Sequence, residues 1–220
     1  MQQLGLSFSK NCRVSARGGK REGAGRKRSP AGARHTPHRA RAKHEARHPV
    51  HVTLRAALRS LRSQQVFSIV LGALRDSNCQ GFRIAHYSIQ NNHIHLIVEA
   101  GDKTLLSSAL RGLSIRIARR VNRLLFRRGR FWADRWHDHT LKSPREVRNA
   151  LRYVLKNHRK HGSSLTLDPL SSAQWFDGFA NPVPHNFRSI GPQCTVPAAT
   201  WLLRVGWRRH GLVRTSESPK

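Results

Sequence analysis

Apolar and polar positions alternate with a period of two in short stretches and near 3.6 in longer ones, and this order begins only near His48. Residues 49–54 place Val50, Val52 and Leu54 on one side, the pattern of a half-buried strand. Across 64–77, Val66, Phe67, Ile69, Val70, Leu71 and Leu74 recur at the spacing of a helix buried on one side, with Gly81 as its stop. Residues 82–89 and 93–99 read as two strands joined by the turn Gln90-Asn91-Asn92. A long helix is expected over 103–126, then a basic loop around Gly129 and a short strand within 131–141. Ser143, Pro144 and Glu146 have the order of an N-cap, a first-turn proline and a capping-box acid, so a third helix starts there and runs to about residue 160, before Gly162. The order strand, helix, strand, strand, helix, strand predicts an α+β fold with a ferredoxin-like split βαβ sheet. The third helix is not needed to complete that sheet and is free to carry a catalytic group.

Outside this stretch the patterning changes. Residues 1–47 carry 13 Lys and Arg between Lys10 and Arg47, against Glu22 and Glu45 alone, and too few apolar positions to repay the entropy of ordering. They are expected to form a disordered basic arm, 48–162 the folded domain, and 163–220 a basic extension. In the extension Asp168-Pro169, Asn181-Pro182 and Gly191-Pro192 signal turns. Trp175, Phe176, Phe179, Trp201 and Trp207 are costly to expose, so part of the extension should pack on the core. Residues 201–210 have the pattern of a short amphipathic basic helix. Aromatics interleaved with Arg can stack on bases, but a role as core anchors is the better reading here.

Charge then narrows the function. The chain has 220 residues, with 41 Lys and Arg against 11 Asp and Glu, a formal charge of +30. Like charges repel in a compact state, and the usual compensation is a polyanion; nucleic acid fits best. No apolar run approaches 18 residues, so no membrane association is expected. Cys12, Cys79 and Cys194 are scattered, without disulfide or zinc-knuckle spacing, which suggests a reducing cytoplasm and a nucleoid-associated protein. Between Lys103 and Lys160 stand 17 Lys and Arg against Asp134, Asp138 and Glu146. Arg111, Arg116, Arg119, Arg120, Arg123 and Arg127, with Arg128 and Arg130 in the loop, lack acids to pair with and are read as a phosphate-contacting surface.

The strongest local chemical signal is His93-Ile94-His95, whose histidines share one face of a strand while Ile94 and Leu96 point into the core. Two imidazoles so placed can hold a divalent metal. His137-Asp138-His139 has the same spacing, however, and spacing alone does not decide between the pairs. Combining them, with Asp138, would make a zinc site, so a zinc-dependent hydrolase stays open.

Taken in order, His51-Val52-Thr53-Leu54-Arg55, His93-Ile94-His95, an Arg-rich loop, Trp136-His137-Asp138-His139-Thr140, Tyr153-Val154-Leu155-Lys156-Asn157 and Lys160-His161-Gly162 resemble the IS200-type single-tyrosine transposases. The likeness is greatest to their relatives associated with repeated palindromic elements, and it covers residues 48–162. The resemblance implies a site of the type with two histidines flanking one hydrophobic residue, His93 and His95 holding metal with Asn157, and Tyr153 as nucleophile on single-stranded DNA. It implies Mg²⁺ or Mn²⁺ as cofactor, imperfect palindromes or hairpins as targets, and a possible homodimer. Tyr153 and Asn157, at i and i+4, would share one helix face. The only other tyrosine, Tyr87, lies in a strand. Arg152 and Arg159 would hold phosphates, and Asp138 and His139 would support the ligands from a second shell. One departure is His158, where many relatives have proline; it would alter the helix end, or help to bind phosphate or metal. A regulator that binds hairpin DNA or RNA without cutting it is the remaining alternative.

Overall fold

The computed structural model describes residues 44–58, 61–184, 187 and 191–219, which belong to one compact unit. The expected basic arm falls almost wholly in residues 1–43, outside the described residues. The elements are β1 (Val50–Arg55), α1 (Gln64–Arg75), β2 (Phe82–Ile89), β3 (His93–Ala100), α2 (Lys103–Leu124), β4 (His137–Thr140) and α3 (Pro144–Lys156). The strands form one four-stranded sheet in the order β2-β3-β1-β4, and each neighbouring pair is antiparallel. This is a mixed α+β fold in which helices cover both faces of the sheet.

Alternation along the strands sorts the residues between two layers. Val50, Val52 and Leu54 of β1 pair in register with Val98, Leu96 and Ile94 of β3, and all six are buried against α1 and α2. The helices answer with Val66, Phe67, Val70 and Leu74 from α1 and Leu110, Leu113, Ile117 and Val121 from α2. Ile97 and Ala85 instead face α3, where Val147, Leu151, Val154 and Leu155 meet Leu202, Leu203 and Trp207 of the extension.

Helix ends follow their caps. Asp102 accepts a 2.7 Å bond from the Leu105 amide at the start of α2. Ser143 and Glu146 complete a capping box at α3, behind Pro144. The third helix was expected to continue to about residue 160. It stays α-helical only to Lys156, tightens into a 3-10 turn over Asn157–His161, and stops at Gly162, whose φ of 81° suits a residue without Cβ.

The extension is fastened to the sheet by buried charge. Fully buried Asp168 takes two 2.9 Å bonds from Arg62 and one of 3.0 Å from the Leu170 amide. Glu99 of β3, also buried, accepts from the Ala199 and Thr200 amides at 2.7 and 2.8 Å and from the Thr200 hydroxyl at 2.7 Å. Lys156 donates to the carbonyls of Thr166 and Thr215, and burial pushes its ammonium down to about 8. Glu217 sits 2.8 Å from Arg148 and 3.5 Å from Arg152 on α3.

Residues 201–210 do not form the single helix expected. A short helix α4 (Trp201–Arg204) breaks at Val205 and resumes as a 3-10 turn over Gly206–His210. The break swings Trp207 into the core, where it stacks on Phe176 with ring centroids 5.5 Å apart, while Trp201 stays half exposed beneath Arg209. Among the described residues no helix is long and apolar enough to cross a membrane.

Candidate active site

Strand pairing assembles the site on the sheet face toward α3. In β3, His93 and His95 stand on that face with their rings 4.7 Å apart at 81°. Directly across in β1, Arg55 pairs with His93 and Thr53 with His95. Across β1 again, His137 and His139 of β4 pair with Thr53 and His51. Five histidines therefore share one face of the sheet.

From the opposite side α3 lowers Tyr153 onto this face. Its ring meets His95 edge-on at 5.1 Å and His51 at 5.6 Å. The Lys160 ammonium lies 4.8 Å from the centroid of the same ring, so a positive charge accompanies the phenol. Asn157 sits where α3 tightens, fully buried, with its amide Nδ2 3.3 Å from His93 Nε2. The tightening does not separate Tyr153 from Asn157; both remain directed at the histidine pair.

The second shell around the pair comes from β1 and the β2–β3 turn. His95 Nδ1 lies 3.1 Å from Thr53 Oγ1 and 3.3 Å from His51 Nε2. His93 Nδ1 lies 2.9 Å from Asn92 Oδ1. Contacts of this kind at Nδ1 fix ring orientation and direct Nε2 outward. Burial pushes the His51 imidazole down to about 4, with repulsion from His139 adding to the effect.

Among the described residues no cluster of three or more His, Cys, Asp or Glu side chains is placed to hold a metal ion. The set that does converge is two imidazoles and an amide. Asn157 Oδ1 is buried without a hydrogen-bond partner among the described residues, and a buried lone carbonyl oxygen is costly unless something binds it. A nitrogen, nitrogen and oxygen set fits a divalent ion of the Mn²⁺ or Mg²⁺ kind.

The two His-x-His pairs do not converge on each other. β1 lies between β3 and β4, so the pairs are roughly 10 Å apart at strand spacing, with Thr53 and His51 between them. That removes the geometric ground for a shared zinc site. Asp138 pairs with Val52, and alternation turns it to the α1–α2 face, away from His93 and His95; of the two expected support residues, His139 shares their face and Asp138 does not. His158 is buried with Nε2 2.8 Å from the Leu165 carbonyl, so it braces the chain after α3.

The arginines divide into three groups. Arg111, Arg116, Arg119, Arg120 and Arg123 lie on α2, on the far side of the sheet from Tyr153. Of these, Arg116 bonds Ser77 at 2.5 Å and Arg120 bonds Asp76 at 2.8 Å. Arg127, Arg128 and Arg130 form the turn beyond α2. Arg152 and Arg159 flank the tyrosine, but Glu217 lies 3.5 Å from the first, and the second donates to the Ser216 carbonyl at 3.1 Å.

Sequence reasoning singled out neither His51, Thr53 nor Lys160 as a site residue. The signal for the first two was present: they are the polar alternates of the strand whose apolar alternates were read as core.

The family described as "Transposase IS200 like" matches residues 49–157, a span that begins just before β1 and ends on Asn157. The chain belongs to the IS200-like single-tyrosine transposases. A solved structure described as "Structure of the REP associates tyrosine transposase bound to a REP hairpin" shares the fold of this IS200-like chain, with a TM-score of 0.54 at 15% identity. The match covers 75% of this chain and 100% of that one. The search of curated proteins gave no match. The family span takes in all of His93, His95, Tyr153 and Asn157, and leaves the extension outside it.

Proposed function

We propose that this IS200-like chain is a metal-dependent single-strand DNA endonuclease and strand transferase acting beside hairpins, with Tyr153 as its nucleophile. The observation that carries the proposal is the convergence of Tyr153 and Asn157, from α3, on His95 and His93, from β3. The relative in complex with a hairpin supports the choice of a hairpin as target. The ferredoxin-like description of the sheet belongs to this reading too.

The Tyr153 oxygen attacks the phosphorus of a phosphodiester in line with the departing 3′ oxygen. The bond from Tyr153 Oη to phosphorus forms, the bond to the 3′ oxygen breaks, and the phenolic proton passes to water while the 3′ oxygen gains one. The products are a 5′-phosphotyrosine and a free 3′-hydroxyl, and a second 3′-hydroxyl reverses the reaction to join strands without ATP. A neutral phenol is a poor nucleophile, so help is needed at the phosphate. A divalent ion on His93, His95 and Asn157 would supply it by polarising the phosphoryl oxygens. Thr53 and His51 hold the His95 ring in its ligating orientation, and Lys160 adds positive charge beside the phenol. The α2 arginines then bind phosphates of DNA that reaches round the sheet. Arg152 and Arg159 do so only after giving up their contacts with Glu217 and Ser216.

The test is to incubate wild-type and Tyr153→Phe protein with single-stranded DNA hairpins carrying native flanks, in Mg²⁺ or Mn²⁺, and to read denaturing gels for a protein–DNA adduct. An adduct present in the wild type and absent in the variant supports the proposal. Tight binding without an adduct across metals and hairpins overturns it and leaves a non-catalytic hairpin-binding regulator. Homodimer formation, a separate expectation, is read by light scattering with and without DNA.

A further inference from the structure

Among the described residues Phe126 is 98% exposed, and the next most exposed large apolar side chain, Val205, reaches only 53%. It is also the only non-glycine residue among them with a positive φ, 49°, a backbone state that a bulky residue adopts at a cost. A chain that exposes its largest apolar surface on a strained backbone needs a physical reason, and flexibility does not provide it. The turn is held on several sides. The Arg127 amide donates to the Asn122 carbonyl at 2.8 Å, and Asn122 Nδ2 donates to the Gly129 carbonyl at 3.1 Å. Arg130 donates to the carbonyls of Trp132 and Ala133, and Trp132 Nε1 to that of Ser114 at 3.0 Å.

Charge says what meets this ring. Arg123, Arg127, Arg128 and Arg130 lie within four residues of it along the chain, and no acid occurs between Asp102 and Asp134. Such surroundings repel a cationic partner and attract phosphate. A flat ring among guanidinium groups suits the face of an unpaired base, because stacking needs an exposed π surface and the adjoining phosphates need cations.

Place adds a second reason. α2 starts beside the far end of β3 and runs back along the sheet. Its 22 residues span about 33 Å at 1.5 Å each, against about 27 Å for the eight residues of β3. The helix thus overshoots the sheet at the end where β3 begins with His93. The returning chain is tied to that end as well: the Ala133 amide donates to the Arg55 carbonyl at 2.8 Å, and Arg55 pairs with His93.

We infer that Phe126 is a base-stacking residue, held out on a rigid basic turn to take an unpaired base of the DNA that passes from the α2 face to the Tyr153 site. This rests on the reading of the chain as a DNA-processing enzyme, and it adds a residue and a contact that the catalytic geometry does not require. The base can come from the single-stranded flank or from the hairpin loop; the stacking chemistry is the same.

The test places 2-aminopurine at each unpaired position of a flanked hairpin in turn and follows its fluorescence with the full chain. One position should be quenched by wild-type protein and by Phe126→Tyr but not by Phe126→Ala, and its place in flank or loop identifies the source. Phe126→Ala should weaken binding of the flanked hairpin by a factor of about 5 to 100, leave a blunt duplex of the same stem unchanged, and melt no lower than wild type. Equal losses on both DNAs, no Phe126-dependent quenching, or a lowered melting temperature would overturn the inference. The covalent-adduct assay separates the two readings. Phe126-dependent stacking without any adduct sinks only the proposed chemistry, and an adduct without Phe126-dependent stacking sinks only this inference.

Discussion

Along β1 and β3 the two faces of the sheet have opposite characters. Toward α1 and α2 the strands present Val50, Val52, Leu54, Ile94, Leu96 and Val98, all buried and none polar. Toward α3 the same strands present His51, Thr53, Arg55, His93, His95 and Glu99, with Ile97 the one apolar residue among them. In an antiparallel sheet a polar face normally belongs to solvent. Here it is covered by α3 and the extension, so its polar groups must find partners, and the stable arrangement of those partners is also the candidate site. One face of these two strands therefore contributes apolar packing alone, while the other holds reactive groups beneath α3 and the extension.

That contrast is broken most completely by Tyr153→Phe. Removal of a single oxygen from the polar face should abolish adduct formation on hairpin DNA while thermal unfolding stays within about 0.5 kcal/mol of wild type. A large loss of stability would mean that the tyrosine is a packing residue and the division between the faces is false.

Asp168→Ala should have the largest effect on stability, about 3 to 5 kcal/mol in denaturant unfolding, because it leaves the Arg62 guanidinium without its fully buried carboxylate. Leu96→Ala on the apolar face should cost about 2 to 5 kcal/mol through the cavity it leaves. The two can be told apart by what else they change. Loss of Asp168 should loosen the extension, measured as faster hydrogen exchange over residues 163–184, whereas loss of Leu96 should weaken the whole unit. Equal exchange profiles would show that the extension is not separately fastened.

Thr53→Val tests whether the polar face tunes the site as well as filling it. The substitution keeps the shape and removes the oxygen 3.1 Å from His95 Nδ1. Affinity for Mn²⁺, measured by calorimetry on the full chain, should fall by a factor of about 10 to 100 with the fold intact. Unchanged affinity would reduce Thr53 to a strand residue.

The apolar face was legible in the sequence because its signal is local. Val50, Val52 and Leu54 announce it by period two, and Ser143 with Glu146 announces the start of α3 within four residues. The candidate site was legible in part, through the likeness of short motifs around His93, His95, Tyr153 and Asn157. What could not be read were the partners. Glu99 meets Thr200 across 101 positions and Arg62 meets Asp168 across 106, with nothing in either segment to mark the pairing. The end of α3 was overread for a related reason: no residue before Gly162 forbids α-helix, and the tightening at Asn157 accompanies packing of His158 against the Leu165 carbonyl. Asp138 was misread as support for the histidines because the register of β4 against β1, which turns it away, is not fixed by either strand alone.

The smallest expected effect concerns acid. Burial pushes His51 and His86 down to about 4, from an ordinary value near 6.5. A folded-state value below the unfolded one means that between pH 6.5 and 4 the unfolded chain binds more protons than the folded one. Stability is therefore whole above pH 6.5 and falls as the pH drops toward 4. Both residues lie toward α3, so the acid sensitivity belongs to the polar face. His86 packs edge-on against Phe176 at 5.3 Å and takes no part in the candidate site, which makes it the cleaner probe. In His86→Gln the fall of melting temperature from pH 7 to pH 4 should be shallower than in wild type, while adduct formation at pH 7 is unchanged. An identical slope would place the acid-sensitive groups elsewhere, and would leave the covering of the polar face by the extension without a titratable signature.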